Sequence, residues 1–198
     1  MQEVFTNELT KEEKLLWSGQ PDPSIIFSKA DIFLVPFSIL WGGFAIVWEF
    51  LAMIAVFTQT NHSTDKMAIL IFPLFGIPFV LIGLYFMVGR FIVKKLRKQK
   101  TFYAVTNKRV LIITKFFGEN LQAEYINSLP SINKSIRPNG FGTITFGNAS
   151  LMDSLYGNTG MEFFISFYSK TSPAFYDIKD ANAVYDIVKD VKNKQTTF

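Results

Sequence analysis

The amino-acid sequence predicts a two-helix transmembrane hairpin joined to a small, mainly β domain that one terminal helix closes. Three observations lead there. Two apolar runs, Ile32–Phe57 and Met67–Val93, lie almost end to end. The second stops in a basic string of Lys94, Lys95, Leu96, Arg97, Lys98, Gln99 and Lys100. Beyond that string, short segments rich in β-branched and aromatic residues alternate with Gly, Asn and Pro, the pattern of strands separated by turns.

The chain has 198 residues, so two spans leave room for one small domain. Its first 31 residues are polar and charged, which sets the first apolar run too far in for a secretory signal and predicts that it stays in the mature protein. Within that segment Thr10, Lys11, Glu12 and Glu13 fit a T-x-x-E capping box. A short helix from about Lys11 to Ser18 is expected, ended by Gly19 and Pro21, with Leu15, Leu16 and Trp17 as its apolar edge.

At roughly 1.5 Å of rise per residue each apolar run reaches roughly 39 Å, enough to cross a hydrocarbon core of about 30 Å with some tilt. Pro36, Pro73 and Pro78 predict kinks where the helical ladder loses a donor. Lys and Arg flank the runs unequally. Arg90 and the basic string follow the second, Lys29 precedes the first, and the Thr58–Lys66 loop carries Lys66 alone. The positive-inside rule then places both termini in the cytoplasm, as a multi-pass protein of the cell membrane. Glu49 is the one acid well inside a span, and an intramembrane carboxylate must pair, protonate or face water.

Past Lys100 the expected strands are Phe102–Thr106, Arg109–Lys115, Leu121–Asn127, Ile132–Ile136, Gly142–Asn148 and Glu162–Tyr168. Asn107 and Lys108 form the first tight turn, and Phe117, Gly118 and Glu119 the next. Alternation in Asn120–Ile126 and Gly142–Phe146 predicts sheets with one buried face. Val184, Ile187, Val188 and Val191 then draw the stripe of an amphipathic helix, with Asp180 as its cap. The chain so divides into a segment 1–31, a hairpin 32–93, a basic joint 94–100, a domain 101–193 and a tail 194–198.

Composition narrows the chemistry. With no cysteine there are no disulfides, thiolate nucleophiles or Cys-based zinc sites, and the single histidine, His62, lies between the two apolar runs. Ser150, Ser154 and Ser172 lack a histidine partner, while Asp153, Glu162, Asp177 and Asp180 show no paired spacing. Gly140, Gly142 and Gly147 lack the order of a phosphate-binding loop. The stretch Asn139–Phe146 echoes an RNA-recognition octamer, yet Asn139 opens it and Thr143 holds a stacking position. No catalytic residue, metal or cofactor is therefore expected, the protein is not expected to be an enzyme, and nucleic acid is not an expected partner. Net charge is +4, concentrated in the basic string, which suits a membrane surface. The headgroup candidates are Lys94, Lys95, Arg97, Lys98 and Lys100, joined by Lys108 and Arg109 at the first turn, each contributing roughly 1 kcal/mol near an anionic surface.

The string Thr101–Thr114, Thr-Phe-Tyr-Ala-Val-Thr-Asn-Lys-Arg-Val-Leu-Ile-Ile-Thr, resembles the opening hairpin of the bacterial pleckstrin-homology-like (bPH) domain membrane proteins, in their two-span integral form. Leu-Leu-Trp-Ser-Gly-Gln-Pro at 15–21, the two apolar runs, the Gly140–Phe146 segment and the closing Phe175, Asp177, Ile178 and Ala181–Val191 agree in order. The resemblance implies a PH-like domain, two near-orthogonal antiparallel sheets capped by the C-terminal helix, on a two-span anchor. Relatives of that fold often bind phosphoinositides at the first hairpin loop, but Lys108 and Arg109 do not make the K-x-n-[KR]-x-R arrangement. The expected function is a non-enzymatic, membrane-anchored module for protein interaction or self-assembly, with a second copy or a neighbouring membrane protein as partner. Tyr156, Phe175 and Tyr176 are its candidate surface. The alternatives are a binder of anionic lipid headgroups and a transport component using Glu49.

Overall fold

The computed structural model describes residues 3–59, 66–148, 150, 153, 156–162 and 172–196, with backbone alone at 59, 66–70 and 196. The chain divides into two compact units, Phe27–Ile92 on the one hand and Met1–Ile26 with Val93–Phe198 on the other. The first 26 residues thus join the β unit instead of forming a segment of their own.

The helical unit contains α2 (Asp31–Gln59) and α3 (Lys66–Leu84). A π-helical segment, Tyr85–Gly89, and α4 (Arg90–Gln99) follow without an intervening loop. Two helical stretches, Asp31–Thr58 and Ile71–Gln99, are long and apolar enough to cross a membrane. Only 17% and 11% of their apolar windows are buried within the chain, so most of each window faces outward. Glycine brings α2 close to its neighbour: a Cβ on Gly83 would lie 2.8 Å from the Gly42 Cα, and one on Gly42 would lie 2.5 Å from the Met87 Sδ. Close backbone approach through small residues is how helices pack where lipid offers no hydrophobic drive. At the start of α2, Asp31 Oδ2 accepts the Ser28 N–H and hydroxyl at 2.6 and 2.7 Å.

The basic string is helical. Lys, Arg, Leu and Gln are strong helix formers, and α4 carries the helix through Gln99, six residues past the predicted end at Val93. The joint expected at 94–100 is therefore the last turns of a helix.

The β unit begins with α1 (Glu3–Thr6) and β1 (Leu15–Gly19). After α4 come β2 (Thr101–Thr106), β3 (Arg109–Thr114), β4 (Asn120–Tyr125), a 3₁₀ turn at Ile126–Ser128, β5 (Ile132–Ile136), β6 (Gly142–Phe146), β7 (Ala174–Ile178) and α5 (Ala181–Thr196). They form two antiparallel sheets, ordered β1-β2-β3-β4 and β5-β6-β7. The main core gathers Tyr103, Val105, Val110 and Ile112 from one sheet, Ile144, Phe146, Phe175 and Ile178 from the other, and Val184, Val188 and Val191 from α5. The opposite face of β2 and β3, with Ala104, Leu111 and Ile113, packs under Phe5 of α1. Burial on both faces explains why these two strands read as continuous apolar runs.

Four expectations change. The helix expected at Lys11–Ser18 is a turn followed by a strand. Thr10 and Glu13 do pair, but Thr10 N–H and Oγ1 donate to the Glu13 carboxylate at 3.2 and 3.3 Å, and Leu15–Gly19 then pairs with β2. Helix propensity is a weak prior beside an unfilled sheet edge. The alternation in Asn120–Ile126 predicts one buried face, yet all of β4 but Glu124 is exposed, so neither face of the strand is covered among the described residues. Asp180 has φ 54°, and it is its carbonyl that accepts the Val184 N–H at 3.3 Å. Phe175 is core. It stacks on Tyr103 at 4.6 Å and Trp17 at 5.7 Å and meets Phe146 edge-on at 4.8 Å. The strand expected at Glu162–Tyr168 lies outside the described residues beyond Glu162 itself.

Phe175→Ala removes the ring on which three others rest and is expected to cost about 3–5 kcal/mol. Tyr125→Ala, on the exposed edge, should stay within about 0.5 kcal/mol. Denaturant unfolding of the full chain in detergent, followed by near-ultraviolet circular dichroism, measures both.

Candidate functional site

Charge is concentrated in three constellations, two of them in the β unit. At the first, Asp177 sits on β7 with φ 48° and is fully buried. Its Oδ2 accepts from Lys98 Nζ and Asn158 Nδ2, each at 2.5 Å, and its Oδ1 from Arg137 at 2.9 Å. Lys98 also donates to the Asp22 carbonyl at 3.1 Å and the Ile25 carbonyl at 2.6 Å. An ammonium has three donors, and these three acceptors use them all.

The second lies where β2 turns into β3. Arg109 donates from Nε to Glu13 Oε1 at 2.8 Å and from Nη2 to Glu13 Oε2 at 2.9 Å, a bidentate pair, and Nη2 also reaches the Glu8 carbonyl at 2.6 Å. The Thr106 hydroxyl donates to Glu13 Oε1 at 2.7 Å and accepts from the Lys108 and Arg109 N–H groups at 3.2 and 2.9 Å. Burial alone would raise the Glu13 carboxyl, but hydrogen bonds from Arg109, Thr106 and Thr10, with the guanidinium charge, bring it down to about 2. Its hydrogen bonds to Glu13, with that carboxylate's charge, push Arg109 up. A groove of about 420 Å³ opens above this pair, rimmed by Lys11, Glu12, Lys108 and Tyr125. Lys108 meets Glu12 at 3.2 Å across it.

In the helical unit, Arg90 is buried against Asp31 and donates from Nε to the Phe86 carbonyl at 2.8 Å, beside the π-helical segment. Glu49 has both carboxylate oxygens buried with no hydrogen-bond partner among the described residues, against Gly76, where a Cβ would collide with them.

The sequence-predicted headgroup candidates do not form one surface. Lys94 and Lys98 turn inward, Lys94 donating to the Ile26 carbonyl at 2.6 Å. Arg97 reaches Glu162 at 3.3 Å, and Arg109 is held by Glu13. Lys95 and Lys100 are exposed, and Lys108 lies apart from them at the turn between β2 and β3. The expected interaction surface is also dispersed: Phe175 is core, and Tyr156 and Tyr176 are half-buried, burial pushing the Tyr176 phenol up. Among the described residues no group of three His, Cys, Asp or Glu is placed to hold a metal ion.

What is left exposed is a strand. β4 pairs with β3 along its full length, Asn120 opposite Thr114 through Tyr125 opposite Arg109, without a bulge. No strand lies on its other side among the described residues. Leu121, Ala123 and Tyr125 share one face, Leu121 being 40% and Tyr125 57% exposed. Edge strands are ordinarily shielded by Lys, Pro, a bulge or a covering element; Asn-Leu-Gln-Ala-Glu-Tyr holds no Lys or Pro, pairs without a bulge, and has no further strand beside it among the described residues. The other edge of the same sheet, β1, carries a bulge between Leu15 and Trp17. The sequence does hold the signal for an open edge, a strand-like stretch free of Lys and Pro, but not the strand order that makes it one.

The fold is thus a long helical pair with outward apolar side chains and a two-sheet β unit closed by a helix. The chain matches no protein-family model, no curated protein and no solved structure in the three comparisons made.

Glu13 gives the β unit an acid-sensitive tie. Its carboxyl is depressed in the folded state, so its contribution is full above the unfolded value of 4.5 and disappears as pH falls through about 2. The shift corresponds to about 3 kcal/mol. Glu13→Gln is expected to flatten the fall in stability between those two values, as read from denaturant midpoints across pH.

Proposed function

We propose that the chain is a membrane-anchored module of PH-like design that self-assembles, two copies joining through their β4 edges at the cytoplasmic face of the cell membrane. The outward apolar surfaces of α2 and α3 support the anchor, and the excess of Lys and Arg beyond the two apolar runs supports the orientation. The open edge of β4 carries the assembly reading. In an antiparallel pairing with Ala123 on the two-fold axis, Leu121 meets Tyr125 of the second copy twice over, an aliphatic–aromatic cross-strand pair. Small side chains meet on the axis. A register shifted by one residue sets Leu121 against Glu124 and loses that match. Such an interface is isologous and closes at two copies.

Headgroup binding, the alternative, keeps Lys95 and Lys100, which are exposed, and loses Lys94, Lys98 and Arg109 to internal partners. Transport, the third reading, rests on Glu49 alone, whose carboxylate lies against Gly76 with no hydrogen-bond partner among the described residues.

Crosslinking in native membranes followed by size analysis is expected to give a dimer. Ala123→Lys places two like charges on the axis, and at an exposed site it should leave the fold intact while abolishing the dimer. A dimer that survives Ala123→Lys overturns the β4 reading. A reporter active only outside the cytoplasm should stay silent when fused after Phe198.

A further inference from the structure

The hairpin between β3 and β4 ends in Lys115, Phe116, Phe117, Gly118 and Glu119. Phe117 is 91% exposed, the most exposed large apolar side chain among the described residues. Its φ is 54°, a left-handed backbone that Gly or Asn adopts readily and a bulky residue does not, followed by Gly118 at φ 118°. Folding gains nothing from a phenylalanine there. The ring lies 4.4 Å from that of Phe116, so the tip presents a paired aromatic surface.

Its position is specific. The Lys115 N–H donates to the Lys100 carbonyl at 2.8 Å, and Thr114 pairs with Thr101. The tip is therefore beside the residues through which α4 delivers the chain into the β unit, and far along the sheet from the turn at Asn107 and Lys108. Other exposed apolar and basic side chains share that end: Leu96 on α4, Leu121 at the start of β4, Lys95 and Lys100. Lys115 is half-exposed and meets Glu119 at 3.1 Å. Aromatic rings with lysines beside them suit the boundary between headgroups and acyl chains, where a ring leaves water while an ammonium stays with anionic phosphate.

We propose that the Phe116–Phe117 tip is a second membrane contact, seated in the headgroup–acyl boundary of the leaflet in which the helices anchor the chain. The inference rests on the anchor reading above. With the tip seated, the β unit is held at two points, the end of α4 and the hairpin, instead of turning about one.

The chain has no cysteine, so one introduced cysteine is the sole site for a nitroxide label. Three single variants of the full-length protein in bilayers with anionic lipid suffice: Phe117→Cys at the tip, Glu12→Cys at the exposed far end of the sheet, and Leu40→Cys on the outward face of α2. Relaxation by oxygen, which concentrates in lipid, is compared with relaxation by a water-soluble nickel chelate. Oxygen is expected to dominate at Leu40 and Phe117, and the chelate at Glu12. A Leu40 label in lipid with a Phe117 label as aqueous as Glu12 overturns the tip contact and leaves the anchor standing. An aqueous Leu40 label overturns the anchor and the tip with it. Chelate-dominated relaxation at Phe117 with dipolar broadening between copies overturns the tip contact in favour of a protein partner.

Discussion

The β unit depends on one buried carboxylate. Asp177 accepts from Lys98, Arg137 and Asn158, while its backbone carbonyl accepts the Asp22 N–H at 3.0 Å. Those partners come from the end of α4, the loop after β5, the segment before β7 and the stretch after β1. Four pieces of chain distant in sequence thus meet at one residue. A buried ion pair contributes little net stability over an apolar substitute, but removing one partner strands the other and costs about 3–5 kcal/mol. The arrangement serves to specify which segments meet. It also accounts for the fate of the first 26 residues, whose stretch from Asp22 to Ile25 is tied to Lys98 through two carbonyls.

The string Tyr-Ala-Val-Thr-Asn-Lys-Arg-Val has the same character at the other end of the sheet. Thr106 caps the turn and reaches Glu13, Asn107 exchanges hydrogen bonds with Lys14 at 2.7 and 3.1 Å, and Arg109 grips Glu13 with both arms of its guanidinium. Side-chain hydrogen bonds of this kind close tight turns. Here they also lock β1 onto β2. The string that stands out most in the sequence is a folding device, and its basic residues have their partners inside the chain.

What could be read from sequence follows from local physics. Strands β2, β3, β5 and β6 and the helix α5 lie within a few residues of their expected bounds, because β-branched runs, Gly punctuation and a 3.6-residue stripe act over short distances. The two apolar helices were legible for the same reason. Leu15–Gly19 was not, because its state is decided by an open edge more than eighty residues downstream, and the capping pattern before it belongs to Glu13's tie with Arg109. Lys94 and Lys98 read as surface charge because nothing near them in sequence announces Asp177 or the carbonyls of Asp22, Ile25 and Ile26. Phe175 read as surface because five residues of β7 alternate too briefly to name a buried face.

These two sets of ties decide what kind of recognition is left to the protein. In the β unit, Lys98, Arg109 and Asp177 are partnered and buried or nearly so, while the exposed pairs, Lys108 with Glu12 and Lys115 with Glu119, are of the surface kind that contributes little. Recognition by charge through Lys98 or Arg109 would first have to break internal pairs at the cost of stranding a buried partner. The backbone edge of β4 and the apolar side chains of Leu121, Tyr125 and Phe117 demand no such exchange. Binding through them removes apolar surface from water and, on the proposed reading, pairs main-chain groups of β4 that have no strand partner among the described residues. A domain proposed to be tethered in a bilayer also needs less affinity than a free one, because the tether confines encounters to the membrane plane and raises effective concentration. An unprotected edge, a hazard in a freely diffusing protein, is then tolerable where two helices limit which edges can meet it.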